Sequence, residues 1–225
     1  MLTVARLAVI MSAVALTSAA PAPPTLSAAV VAEFKALCLN WDGDLEATQE
    51  LVIERGFQPA QDRLESFRPG GRPARYTYVW ARNIEGVDVQ VVAKPRSFIG
   101  WGNERFHQDV CSIVVTPGHR TSLRNEVAHE LDQDSFRQAG ASVFAWTQGP
   151  NGKAVVPRRI FDNQLYRLMS EAALRMVTVA DHNDQVILSY FVPSREDCWF
   201  RPNYTPTEAN IVCGAARDEF AAPET

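Results

Sequence analysis

At 225 residues and a formal charge of −4, the chain has room for one domain or two small ones and a sizeable core. So mild an acidity excludes a general nucleic-acid binder and a polybasic membrane-surface protein, since both depend on clustered positive charge. Lysine occurs only at 35, 94 and 153, and the other basic residues are all Arg, a bias we attribute to genome composition.

The N-terminus reads as a targeting segment. Met1–Arg6 carries one positive charge, Leu7–Ala15 is an apolar run interrupted only by Ser12, and Thr17-Ser18-Ala19 supplies the small residues a signal peptidase needs. Cleavage is expected after Ala19, because Pro21 would block a cut directly before it. An apolar run of roughly 10 residues falls short of the ~20 that span a bilayer. Removing residues 1–19 takes away one positive charge and moves the formal charge from −4 to −5. No later run is long enough to cross a membrane, so the mature chain is expected to be soluble and periplasmic or secreted.

Residues 20–26 form a proline-rich linker, extended in expectation. A helix is predicted from about Ser27 to Leu39, with Val30, Val31, Phe34, Leu37, Cys38 and Trp41 recurring on its buried face. Asp42-Gly43-Asp44 breaks it and starts a second helix, with Asp44 as N-cap and Gly56 as terminator, so Ser27–Gly56 reads as a helix hairpin. Gln58–Arg75 is predicted as a loop in which Arg63, Arg68, Arg72 and Arg75 flank Pro69-Gly70-Gly71. An anion-binding loop and a solvated connector both fit it, and composition favours the connector.

Tyr76–Pro95 carries the clearest pattern in the chain: two alternating runs about a turn at Asn83–Gly86, with Val87, Val89, Val91 and Ala93 on one face. Pro95–Asp109 is predicted as a second long loop whose Phe98-Ile99-Gly100-Trp101-Gly102 is either a contact surface or a plug for the core. Further strands are predicted at Val110–Thr116, Ala141–Thr147, Lys153–Ile160, Leu174–Ala180 and Val186–Val192. Helices are predicted at Ser122–Gln138 and Phe161–Glu171. The tail, residues 194–225, is expected to be irregular and pinned by a disulfide.

The fold class is therefore α+β: about seven mostly antiparallel strands, with the helix hairpin and a longer central helix packed on one face, over residues 27–193. Trp80 and Gly86 recur as Trp146 and Gly152, an offset of 66 residues that also carries Cys111 to Val177. The echo suggests two α-β-β-β halves, 27–117 and 118–193.

Four cysteines, Cys38, Cys111, Cys198 and Cys213, remain after cleavage, and an even count in an exported chain implies disulfides. Proximity favours Cys198–Cys213, leaving Cys38–Cys111 as the long-range bridge. Chain entropy assigns them about 3 and about 4.4 kcal/mol. Metal binding is the rival, but no Cys-x-x-Cys occurs and no His stands at ligand spacing to a Cys.

Motifs for catalysis fail at their defining positions. His129-Glu130 lacks the second His of a zinc-protease helix, since position 133 is Gln, and His129 reads as a surface residue. Asp42, Asp44 and Glu46 begin like a calcium loop, but Ala47 and Ile53 stand where it needs Gly and Glu. Asp181-His182-Asn183-Asp184 is a hairpin turn before it is a metal site. No nucleophile elbow, phosphate loop or complete dinucleotide loop occurs, and His107, His119 and His182 fall in loops or turns. No catalytic residue, cofactor or metal ligand is assigned. The reading is a non-catalytic binding module of the bacterial periplasm or exterior, resting on the Phe98–Trp101 stretch, with an unknown protein or envelope component as partner. The rival is an exported hydrolase whose Asp, Glu and His are brought together only in space. No family resemblance is drawn.

Overall fold

The computed structural model describes residues 25–42, 44–60, 77–101, 104–149, 152–170, 174–193, 198–200 and 211–213. The expected signal segment and the Arg63–Arg75 stretch lie outside these.

The first helix, α1 (Leu26–Phe34), opens on Thr25, whose side chain accepts the Ala28 amide at 3.2 Å, and continues through a wider π turn, Lys35–Leu39. Asp44 caps α2 (Leu45–Glu54) by accepting the Ala47 amide at 3.1 Å. The helix stops at Gly56, whose φ of +79° is open to glycine at no steric cost, and the Phe57 amide turns back to Val52 O at 3.1 Å. Thr48 donates from Oγ1 to Leu37 O at 3.1 Å, tying the π turn to α2. The predicted helix hairpin is therefore present. Trp41 departs from its expected place: it is more than a third exposed rather than part of the buried stripe.

Eleven strands occur among the described residues, four more than expected, and every pairing is antiparallel. They are β1 (Gln58–Pro59), β2 (Tyr78–Ile84), β3 (Val87–Trp101), β4 (Glu104–Thr116), β5 (Phe136–Gln138), β6 (Ala141–Gly149), β7 (Gly152–Val155), β8 (Leu174–His182), β9 (Gln185–Pro193), β10 (Cys198–Phe200) and β11 (Ile211–Cys213). The main path runs β1-β2-β3-β4-β9-β8-β6-β5, with β7 paired to β6, β10 to β4 and β11 to β10. The Asn83–Gly86 turn forms as predicted, with Glu85 and Gly86 at positive φ and the Gly86 amide bonded to Asn83 Oδ1 at 2.8 Å.

The surplus strands come from segments predicted as loop or as single elements. Pro95–Asp109 is not a loop: β3 and β4 extend through it as a long hairpin. The helix predicted to Gln138 is α3 (Arg120–Leu131), ended by Asp132 in the left-handed region, after which β5 forms. The strand predicted to Ile160 stops at Val155. Pro157 then begins α4 (Arg158–Ser170), its carbonyl accepting the Ile160 and Phe161 amides. The tail, expected to be irregular, contributes β10 and β11.

Strand alternation sorts the apolar residues onto two faces. On one, Val89, Val91, Cys111, Ile113, Phe144, Val177, Leu188 and Tyr190 meet Val30, Phe34, Leu37, Val52, Leu123 and Val127 from the helices in a single cluster. On the other, Val143, Ala145, Leu174 and Met176 pack under Phe161, Leu165 and Leu168 of α4. The helix hairpin and α3 thus share one face, while α4 covers part of the opposite one. Glu33 fastens the hairpin to the sheet, receiving Arg55 from the C-cap of α2 and Arg82 from β2, each at 2.9 Å. Arg82 also donates to Arg55 O and lies 4.6 Å from the Phe57 ring centre.

Order along the sheet reads β2-β3-β4 and then β9-β8-β6, with α1 preceding the first run in sequence and α3 the second. The 66-residue offset carries Trp80 to Trp146, both in the helix-side cluster, and Gly86 to Gly152, both at positive φ. It pairs β4 with β8, whereas the sheet order sets β4 beside β9.

Candidate binding surface

Two features stand out where the helix connector meets the sheet and where the sheet extends past its last long strand. The first is an acid clamp. Asp42, at φ +41°, follows the π turn. Its carboxylate receives Arg175 Nε at 3.1 Å and Nη2 at 2.8 Å, and the Tyr190 hydroxyl donates to it at 2.5 Å. Arg175 stands on β8 and Tyr190 on β9, and the Trp146 ring of β6 stacks on Tyr190 at 5.9 Å. Burial pushes the Tyr190 phenol well above its usual value, and the hydrogen bond to Asp42 adds to the rise. Burial opposes the Arg175 charge, but the hydrogen bonds and charge of Asp42 outweigh it and hold the guanidinium above its usual range. Tyr190 is thereby held as a neutral phenol and Arg175 as a cation, so this cluster keeps its protons rather than exchanging them.

The clamp sits beside the disulfide. Cys38 of the π turn is bonded to Cys111 of β4, with Cα atoms 5.4 Å apart, and Cys111 is the register partner of Tyr190. Disulfide and clamp therefore anchor one connector, Lys35–Asp42, to three neighbouring strands. The long-range bridge expected from proximity is present, and it joins helix to sheet.

Tyr190 supplies a pH prediction. Its proton is held more tightly in the folded chain than in the unfolded one, where phenols titrate near 10. That contribution is whole below about pH 10 and declines above it, because the unfolded chain sheds the proton first. Tyr190→Phe should cost about 1–2 kcal/mol at pH 7, reduced from the usual value for a charged partner because Asp42 is 44 % exposed. Urea melts from pH 9 to 11.5 should show the wild type falling towards the variant. A constant gap across that range would refute the tight hold on the proton.

The second feature is a four-stranded arm. A register shift between Lys94 and Ser97 surrounds Pro95, which has no amide to give the ladder. Beyond it β3 pairs on with β4, setting Ile99 opposite Phe106 and Phe98 opposite His107. Pro193 ends β9 opposite Gln108, and two positions further along β4 its place is taken by β10, with Trp199 opposite Phe106. Trp199 in turn pairs with Val212 of β11. Ile99, Phe106, Trp199 and Val212 are thus successive register partners, a row of backbone positions across four strands. The Phe98–Trp101 stretch, expected as an aromatic loop, is strand: it pairs with residues 104–107 of β4, and Phe106 pairs on its other side with Trp199.

The remaining expected positions are placed as follows. Asp44 is spent on capping, and Asp181 pairs with Arg120 at 2.5 Å. His119, His129 and His182 are exposed, on a helix start, a helix surface and a hairpin. Among the described residues, no group of three or more His, Cys, Asp or Glu is arranged to hold a metal ion. No described helix is long and apolar enough to cross a membrane. Cys198 and Cys213 are register partners in the β10–β11 pair. Compared with family models, with curated proteins and with solved structures, the chain finds no match in any of the three.

Proposed function

We propose that this chain is an exported, non-catalytic binding module whose recognition element is the arm of β3, β4, β10 and β11. The observation that carries the reading is the row Ile99–Phe106–Trp199–Val212, set by backbone pairing across four strands at the end of the sheet. Backbone pairing thus brings apolar and aromatic positions into register at one end of the sheet, and these are the residue types that contact surfaces use for affinity. Support comes also from the clamp. Among the described residues, the two neighbouring groups with shifted pKa values, Arg175 and Tyr190, hold their protons in place, which suits a support better than a reaction centre. The partner class is a protein or other component of the cell envelope, consistent with the apolar leader and the small residues before Ala20.

The test uses the exported protein with its N-terminus determined by mass, expected near Ala20. Wild type and Trp101→Ala are sedimented with isolated sacculi and with outer-membrane vesicles. Wild type should be retained by one fraction, and the variant should lose about tenfold in retention with an unchanged melting temperature. Equal retention of the two, or turnover of ester, phosphate, glycoside or peptide substrates by the wild type, would overturn the reading, the latter in favour of the hydrolase.

A further inference from the structure

The clamp at Asp42 is built unequally. Its donors are fixed and sheltered: Arg175 stands on β8 and Tyr190 on the neighbouring β9, and the Trp146 ring of β6 stacks on Tyr190. Tyr190 is buried, and the Arg175 side chain is only 16 % exposed. The acceptor is different. Asp42 lies on a connector rather than a strand, its side chain is 44 % exposed, and its φ of +41° is one that a residue with a Cβ holds only against a steric cost. An ion pair gains most from being shielded at both members, and this one leaves its acid in solvent. What the sheet supplies is a receptor: two guanidinium N–H groups and a phenol O–H converging on a single carboxylate. A fork of this kind recognises a planar carboxylate from outside a chain by the same geometry as from within it.

Apolar surface flanks the receptor. Arg175, Trp146 and Val155 are successive register partners on β8, β6 and β7, and Val155 is exposed. Trp41, immediately before Asp42, is exposed as well. These are two of the four large apolar residues exposed among the described residues. Lys153 Nζ, 5.0 Å from the Trp146 ring centre, brings a second positive charge to the neighbourhood.

We propose that Arg175 and Tyr190 form a carboxylate-binding site that Asp42 fills from within the chain, and that an external monocarboxylate bearing an apolar group takes Asp42's place there. Free organic acids and peptide C-termini share this chemistry. Binding exchanges one carboxylate for another, so Arg175 keeps a counter-charge throughout, and Asp42 passes into the solvent that it already meets. The apolar group adds the differential affinity that the exchange needs by covering Trp41 or Val155. Cys38, held to Cys111 on β4, confines the movement to the end of the connector. The site shares no residue with the arm, so neither proposal depends on the other.

The experiment titrates phenylacetate into the full-length oxidised protein by calorimetry, with ionic strength held constant by choline chloride. Asp42→Gly vacates the site, since glycine takes the same positive φ without cost, while Asp42→Asn keeps the shape and removes the charge. Affinity should rise in the order wild type, Asp42→Asn, Asp42→Gly. About tenfold should separate the first from the last, as for a site that its own chain fills about nine-tenths of the time. Arg175→Gln should abolish binding, and uncharged 2-phenylethanol should not bind. If Asp42→Gly does not fold, Asp42→Asn against wild type carries the comparison. Acetyl-glycyl-phenylalanine and its amide separate the two sources: binding of the free-acid peptide assigns a chain terminus, and binding of phenylacetate alone assigns a free organic acid. Binding by the variants with none by the wild type would mean a cavity made by the substitution and would overturn the proposal. So would binding that survives Arg175→Gln or that 2-phenylethanol matches.

Discussion

Val89→Asp is expected to lower the melting temperature by about 10 °C or more, or to abolish cooperative folding. Val89 is fully buried on the helix side of β3, paired with Arg82 of β2 and Val115 of β4. A carboxylate placed there is stripped of water with no partner, which costs several kcal/mol against a total of roughly 5–15 for a domain. At about 2–4 °C per kcal/mol for a chain of this size, a loss of about 4 kcal/mol gives the stated shift. Val155→Asp is the control. Val155 is 54 % exposed on the short edge strand β7, and the same substitution there should stay within about 0.5 kcal/mol. Thermal melts of the two variants side by side decide the matter. A Val89→Asp protein melting within 3 °C of the parent would mean that the face assignment of the central hairpin is wrong.

That face was readable from the chain because β3 alternates from Val87 to Ala93 with Val92 as the one exception, and its turn carries Asn83 and Gly86 at the positions a tight hairpin needs. Period and turn chemistry are local signals. Asp44 as N-cap and Gly56 as terminator are local too, and both are in place. What failed was whatever depends on a distant partner. Pro95 and the glycines at 100 and 102 look like loop formers in isolation, yet the backbone of β4 holds 97–101 in a strand through a register shift. The predicted central helix stops at Leu131 and its last three residues are β5, because Asp132 turns left-handed and Gln133 reaches β6, its Nε2 donating to Ala145 O at 3.0 Å. The face that α4 occupies could not be read from its own period, since either side of a sheet offers an apolar surface.

The site divides along the same line. Asp42 was noticed, but as a fragment of a calcium loop, because its partners lie 133 and 148 residues away. No spacing rule links an acid after a helix to an Arg and a Tyr on two later strands. One clue was present: Arg175 interrupts the apolar side of β8, and an Arg on the buried parity of a strand needs an acid nearby. The aromatic row suffered similarly. Phe98–Trp101 drew attention as composition, but its alignment with Phe106, Trp199 and Val212 exists only through register. The cysteines were the exception, since pairing by proximity reduces three connectivities to one testable choice, and Cys38–Cys111 follows from it.

Replacing both Cys38 and Cys111 by Ser should cost about 4 kcal/mol, and the melting temperature should fall by about 10 °C or more. The bridge spans a sequence separation of 73, so its loss restores a large closure entropy to the unfolded chain. It also joins a helix to a central strand, so opening it cannot be confined to an edge. The effect should depend on Asp42. The bridge and the clamp hold the same connector, from Lys35 to Asp42, against β4, β8 and β9. While one tie remains, most of the connector stays ordered, and only when both are gone does its full chain entropy return. A double-mutant cycle of the cysteine pair with Asp42→Ala should therefore give a combined loss that exceeds the sum of the separate losses by about 0.5–3 kcal/mol. Urea melts on the four proteins measure it. A coupling of zero would mean that the two ties act on independent parts of the chain, and that the connector is not the shared element on which the helix hairpin is seated.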